Sequence, residues 1–127
     1  MMKRIIHTTN APAPIGPYSQ AVEVNNLLYV SGQIAIDPVS NTIIGSSIAD
    51  ETKQVMENIK AILDAAGYRE ENIIKTTIFL SNMSHFAEVN EIYGSYFTSD
   101  FPARETVAVA GLPKNVNVEI SVIACKS

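Results

Sequence analysis

The sequence has 127 residues, 46% of them apolar, and a net charge of −4, which suits one domain over residues 1–127 with its own core and no metal or disulfide staple. No apolar run approaches the roughly 20 residues a membrane helix needs, and the basic start Lys3-Arg4 has no apolar stretch behind it of the kind a secretory signal carries. A single cysteine, Cys125, rules out an internal disulfide, so a reducing, cytoplasmic setting is expected, and scattered Lys and Arg with no basic stripe argue against a nucleic-acid partner.

Ala11 to Pro17 holds three prolines within six residues. Such a stretch forms neither helix nor central strand and reads as an ordered, extended loop. Ala21 to Val24 and Leu27 to Ser31 read as strands joined by Asn25-Asn26, since two asparagines tolerate the positive φ of a tight hairpin. A helix is expected from about Asp50 to Ala66, because Val55, Met56, Ile59, Ile62, Leu63 and Ala66 recur at helical spacing. Asp50 and Glu51 suit its N-terminal end, and Gly67 is a natural stop. Asn72 to Leu80 alternates and reads as a strand. A second helix, capped by Ser84, presents Phe86, Val89, Tyr93, Tyr96 and Phe97. Thr106 to Ala110 and Val116 to Ala124 complete the set as strands.

The order is β-β-α-β-α-β-β, an α+β class in which two amphipathic helices cover one face of one sheet and leave the other bare. In the last strand Val118, Ile120 and Val122 point one way, while Asn117, Glu119, Ser121 and Ile123 point the other. The second set is too apolar for a wet face and too polar for a standard core. That mixture is expected to be buried by another subunit.

Metal and nucleotide signals are missing. His7 and His85 are far apart in sequence and Cys125 stands alone, with no HxH, HExxH or CxxC spacing, no GxGxxG and no Walker loop. No metal and no cofactor is expected. Cys125, between Ala124 and Lys126 at the end of an apolar strand, reads as a small hydrophobe, with thiol nucleophile as the alternative. Of three arginines, Arg4 and Arg69 read as solvated. Arg104 instead sits amid apolar residues in Phe101-Pro102-Ala103-Arg104 at the mouth of a strand. It needs an anion: either a structural partner such as Glu105 or Glu119, or a ligand carboxylate that fits its planar fork. Glu119 interrupts an apolar strand and is either a salt-bridge carboxylate or a group that holds and deprotonates a water.

Four segments in order closely resemble the RidA/YjgF family across nearly the whole chain. They are Gly16-Pro17-Tyr18-Ser19-Gln20-Ala21, Tyr29-Val30-Ser31-Gly32-Gln33-Ile34, Val89-Asn90-Glu91-Ile92-Tyr93 with Tyr96-Phe97, and Phe101-Pro102-Ala103-Arg104 followed by Leu112-Pro113-Lys114 and Val118-Glu119-Ile120. The resemblance implies a chorismate-mutase-like fold and a homotrimer whose sheets form a central barrel, with active sites in clefts between subunits. It implies hydrolysis of reactive 2-imino acids or their enamines (2-aminoacrylate, 2-iminopropanoate, 2-iminobutanoate) to 2-keto acids and ammonia. It also implies a functional link to the pyridoxal-phosphate dehydratases that release such species. Arg104 should clamp the substrate carboxylate and Glu119 should activate a water. Tyr18, Ser31 and Gly32 should line the pocket, and Asn90 should shape the site or a subunit contact.

Three positions depart from the family pattern. Glu105 follows the arginine where a small residue is common, and adjacent strand residues face opposite ways, so it is expected to point away. Thr106 stands where many members carry cysteine, so activity should not depend on a thiol there; Thr106 is counted among the binding residues. Gly111 stands where arginine is frequent. Two other readings compete with the deaminase: a non-catalytic trimer that binds small acids for regulation, and a ribonuclease or translation inhibitor. The pair Arg104 and Glu119 favours catalysis, and the acidic balance disfavours the ribonuclease.

Overall fold

A computed structural model describes residues 2–127. Three strands, β1 (Arg4–Ile6), β2 (Ala21–Val24) and β3 (Leu27–Gln33), precede helix α1 (Ile48–Ala66). Then follow β4 (Ile73–Leu80), α2 (Phe86–Gly94), β5 (Ala103–Ala108) and β6 (Val118–Cys125). The six strands form one mixed sheet in the order β1-β2-β3-β6-β4-β5, parallel at β4–β5 and antiparallel elsewhere. The two-layer α+β arrangement expected from the sequence is present, extended by β1.

That first strand was not expected, because three residues carry too little periodicity to register. Pairing supplies what pattern does not: Arg4 opposes Glu23 and donates to its carboxylate at 2.8 Å. Arg4 is therefore an ion-pair residue rather than a merely solvated one. Arg69 is the more exposed of the two and pairs with Glu71. The β2–β3 hairpin turns through Asn25 and Asn26 at φ 49° and 64°, as two asparagines allow.

Helix α1 begins two residues before the expected Asp50. Ser47 caps it by accepting from the Asp50 N–H, and Gly67 ends it in the left-handed region at φ 82°. All six residues of its expected apolar stripe are buried. Helix α2 is shorter than its stripe suggested, ending at Gly94, with Tyr96 and Phe97 beyond it. Ser84 does not cap it. A 3₁₀ turn at Met83–His85 comes first, and Asn82 takes the Ser84 N–H there.

Along β6 the burial alternates as expected, with Val118, Ile120, Val122 and Ala124 buried under the helices. Among the described residues, no helix covers the opposite sheet face. Tyr29 and Val107 there are 48% and 44% exposed. The ion pair between Lys75 and Glu105, at 3.0 Å, also lies on this face.

Candidate functional site

Glu119 lies on the open face of β6, opposite Phe79 of β4. Beside it, β3 carries one extra residue between Val30 and Gln33, a bulge that brings Ser31 and Gly32 against the carboxylate. A Cβ on Gly32 would lie 2.8 Å from the Glu119 Cδ, so any larger residue there would displace the carboxyl from its present place. A cleft of about 360 Å³ opens there, walled by Tyr18, Ser31, Gly32, Ile34, Pro113 and Glu119, and continued by Pro12, Ala13 and Ile15 of the proline-rich loop. The Ser31 hydroxyl donates to the Ser19 carbonyl at 2.6 Å, and Tyr18 Oη accepts the Ile15 N–H at 3.2 Å.

Among the described residues, no hydrogen bond or ion pair reaches the Glu119 carboxyl. Burial without a compensating donor raises its pKa above the ordinary carboxylate value. Such a group accepts a proton more readily than a surface glutamate does.

Arg104 is the second residue of β5 and pairs with Thr76, which is buried under the helices. Its guanidinium therefore points to the helix face. The carbon at its centre stands 5.6 Å from the Phe86 ring centroid and 5.4 Å from that of Tyr93. Nη1 donates to Asn90 Oδ1 at 2.6 Å. Tyr93 is held in turn by donating its hydroxyl to Thr76 at 2.9 Å. Asn90, Tyr93, Gly94, Phe101, Pro102 and Arg104 line a shallow depression. Neither Glu105 nor Glu119 pairs with Arg104: Glu105 turns to the open face and takes Lys75, as strand alternation required. The fork keeps most of its five donors free for an anion. Thr106, two residues along the same strand face, has a buried hydroxyl with no hydrogen-bond partner among the described residues.

The seven residues singled out by sequence thus fall into two groups. Tyr18, Ser31, Gly32 and Glu119 meet in the cleft, whereas Asn90, Arg104 and Thr106 lie on the other side of the sheet. Within one chain, Arg104 and Glu119 do not face a common space. The apolar walls Ile15, Ile34 and Pro113 were missed because they read as ordinary loop or core residues. Phe86 and Tyr93 were seen only as a packing stripe; their spacing on one helix face was the available signal that they could flank a cation. Cys125 is exposed at the end of β6, not buried as expected, and lines neither site. Among the described residues no group of three or more His, Cys, Asp or Glu side chains is arranged to hold a metal ion, and no helix is long and apolar enough to cross a membrane.

Residues 8–126 match the family model described as endoribonuclease L-PSP. A RutC family protein of Pyrococcus horikoshii is 53% identical over 125 residues, 98% of this chain and 99% of that one. A 2-iminobutanoate/2-iminopropanoate deaminase of Homo sapiens is 47% identical over 124 residues, 98% of this chain and 90% of that one. Among solved structures, Escherichia coli TdcF with bound serine superposes with a TM-score of 0.94 at 40% identity, covering 98% of this chain and 99% of that one.

Proposed function

The chain belongs to the RidA/YjgF family, and from that membership and the site geometry we propose that it is a hydrolytic deaminase of small reactive 2-imino acids. The observation that carries this reading is Glu119: a half-buried carboxyl with a raised pKa and no partner, set in an open cleft against Gly32. Satisfying that group by protein would have needed one nearby donor, and among the described residues none bonds to it. A water in the cleft supplies it, and the carboxylate orients that water for attack.

The chemistry asks for little more. The C2 carbon of a 2-iminium acid is already electrophilic, so no metal and no covalent nucleophile is needed. Water adds to C2 as Glu119 takes its proton, giving a tetrahedral carbinolamine. That proton passes to the nitrogen; as the C–N bond breaks and the C=O bond forms, the hydroxyl proton goes to Glu119, leaving a 2-keto acid and ammonia, which carries that proton away as ammonium. Arg104 holds the substrate carboxylate through its free fork, with Asn90 and the two rings fixing its plane. Thr106 supplies a further hydroxyl beside it.

Because Arg104 and Glu119 face opposite sides of one sheet, a site that uses both takes them from two subunits. Strand β5 is a sheet edge, and the open face carries Tyr29, Phe79, Val107 and Ile123. An edge laid on a neighbour's open face is a head-to-tail contact, which closes into a ring when its rotation is a whole fraction of a turn. A homotrimer with three such clefts is the assembly we propose. Its substrates are the enamines and imines that pyridoxal-phosphate dehydratases release from serine and threonine.

The test is release of keto acid and ammonia from freshly generated 2-aminoacrylate, with wild type and Arg104→Ala side by side. Wild-type acceleration over the buffer rate, lost in the variant, is the expected result. Ligand binding with no acceleration by wild type would leave a small-acid-binding regulator instead.

A further inference from the structure

The wall of the Glu119 cleft has a structural problem. Pro12, Pro14 and Pro17 have no N–H, so the loop that carries Pro12, Ala13, Ile15 and Tyr18 cannot be held by a backbone ladder. Its carbonyls need donors from elsewhere. One side chain provides them. Gln20, at the start of the hairpin, is 1% exposed. Its Nε2 donates to Thr8 O at 3.0 Å and Pro12 O at 2.9 Å, with Ala11 O at 3.3 Å sharing the same group. Its Oε1 accepts the Thr8 N–H at 2.7 Å. The far end of the loop is fixed by Ser31, whose hydroxyl holds Ser19 O. Among the described residues, the hydrogen bonds of Ala13 to Tyr18 are internal to the loop: Tyr18 N to Gly16 O and Ile15 N to Tyr18 Oη.

We infer that Gln20 is a positioning residue for substrate binding: its amide fixes the proline-rich loop, and through it the apolar wall that receives the substrate's side chain. This rests on the deaminase reading of the cleft. Gln20 is itself part of the cleft's lining, but both ends of its amide are taken up by Thr8, Ala11 and Pro12, so it serves the wall and not the reacting atoms. Its loss widens and loosens the wall without altering Glu119 or Arg104, so the effect falls on binding rather than on the chemical step.

Two variants test it. Gln20→Met fills the same volume but removes every hydrogen bond. Gln20→Glu keeps the shape and offers the three carbonyls no donor while ionised. In both, KM for the imine and Kd for 2-oxobutanoate by calorimetry should rise about tenfold, the equivalent of one net hydrogen bond, while kcat stays within about twofold. Amide exchange should quicken at Thr8 and through the loop and stay unchanged in α1 and β6. A carboxyl buried among carbonyls has a raised pKa, and its protonated form can donate to one of them. The binding defect of Gln20→Glu should therefore narrow as pH falls, and that of Gln20→Met should not. Unchanged KM and Kd, or a fall in kcat at constant KM, overturns the inference. If neither variant folds, exchange in the wild type decides: a Thr8 amide as protected as those of β2 supports the anchor, and exchange at the free-chain rate overturns it. The calorimetric and exchange readouts do not need turnover, so a wild type without deaminase activity would sink the functional reading and leave this one standing on its own result.

Discussion

Glu51 and Glu119 are carboxylates at the same end of β6, on opposite faces of the sheet, and the chain treats them in opposite ways. Glu51, 2% exposed in the first turn of α1, accepts the Asn117 N–H at 2.7 Å, the Val118 N–H at 2.9 Å and the Asn117 side-chain amide at 3.1 Å. Its charge is spent on tying the helix to the strand. Glu119, the next residue after those donors, receives none of them. The same contrast separates the arginines: Arg4 pairs with Glu23, while Arg104 has an amide and two rings but no carboxylate. Charges that hold the fold have their partners in the chain. The two charges that the proposed mechanism uses are bordered by neutral groups and, among the described residues, have no ionic partner.

The largest effect should come from Arg104. Arg104→Ala removes a bidentate carboxylate clamp and should lower kcat/KM by roughly 10²–10³-fold. Arg104→Lys should also lose most activity, because an ammonium cannot reproduce the fork. Mixing sharpens this. If each site takes Arg104 from one subunit and Glu119 from the next, every mixed ring of Arg104→Ala and Glu119→Gln chains regains one intact site. Equal amounts, refolded together, should recover roughly a quarter of wild-type turnover. No recovery from rings proved to be mixed by mass spectrometry would place both residues in one subunit's site and break the assembly proposed above.

Glu119→Gln should cut turnover by about 10²-fold while changing the Kd of 2-oxobutanoate by no more than about threefold. The raised pKa sets the sign of the acid limb. Activity needs the ionised carboxyl, so kcat/KM should fall on acidification at a pH above the ordinary carboxylate range. Stopped assays of keto acid across the acid range would detect the limb, and a variant with normal turnover would make Glu119 structural.

Stability separates the two glutamates next. Glu51→Ala strands one buried and one half-buried N–H and should cost about 2–3 kcal/mol, read by denaturant unfolding. Glu119→Gln should do the opposite. A carboxyl whose folded pKa is raised binds its proton more tightly when folded. Its ionisation therefore opposes folding once pH exceeds the folded pKa, and costs nothing below the unfolded value. The Gln variant should melt higher at neutral pH, with the gain vanishing in acid. A lower melting point for Glu119→Gln at neutral pH would mean that the carboxylate is satisfied in the assembled protein, and the contrast with Glu51 would fail.

The sequence made the helix stripe of α1 and the alternation of β6 legible because each repeats one burial decision many times. It did not reveal β1, whose three residues are strand only because β2 pairs with them. Site residues were legible as types, since an arginine and a glutamate among apolar neighbours each demand a partner. Which face each took depended on register: one parallel pairing, Arg104 with Thr76, decides that the guanidinium lies under the helices rather than beside Glu119. Nor did spacing reveal that Glu51 is a three-donor acceptor, because Asn117 and Val118 are 66 and 67 residues away.

The smallest effect belongs to the group that chemistry would most readily suspect. Cys125 is the chain's one thiol, and a thiolate would be a competent nucleophile toward an iminium carbon. It lies exposed at the end of β6, where its sulfur meets the Lys126 carbonyl at 4.0 Å. Glu119 is six residues away along an extended strand, roughly 20 Å at the usual rise, so the thiol cannot reach substrate in that cleft. Thr106 stands where the family resemblance places a thiol in many members, and among the described residues its hydroxyl has no hydrogen-bond partner to activate it. Cys125→Ala should accordingly leave kcat/KM within about twofold and stability within about 0.5 kcal/mol, as for an exposed position. Treatment with EDTA should also leave activity unchanged, because in the proposed mechanism a water held by Glu119 attacks a carbon that needs no Lewis acid. Loss of turnover in a folded, trimeric Cys125→Ala protein would point to covalent catalysis. Loss on chelation, restored by one metal, would mean that ligands from different subunits converge. Either result would remove the reason that Glu119 is left without a partner.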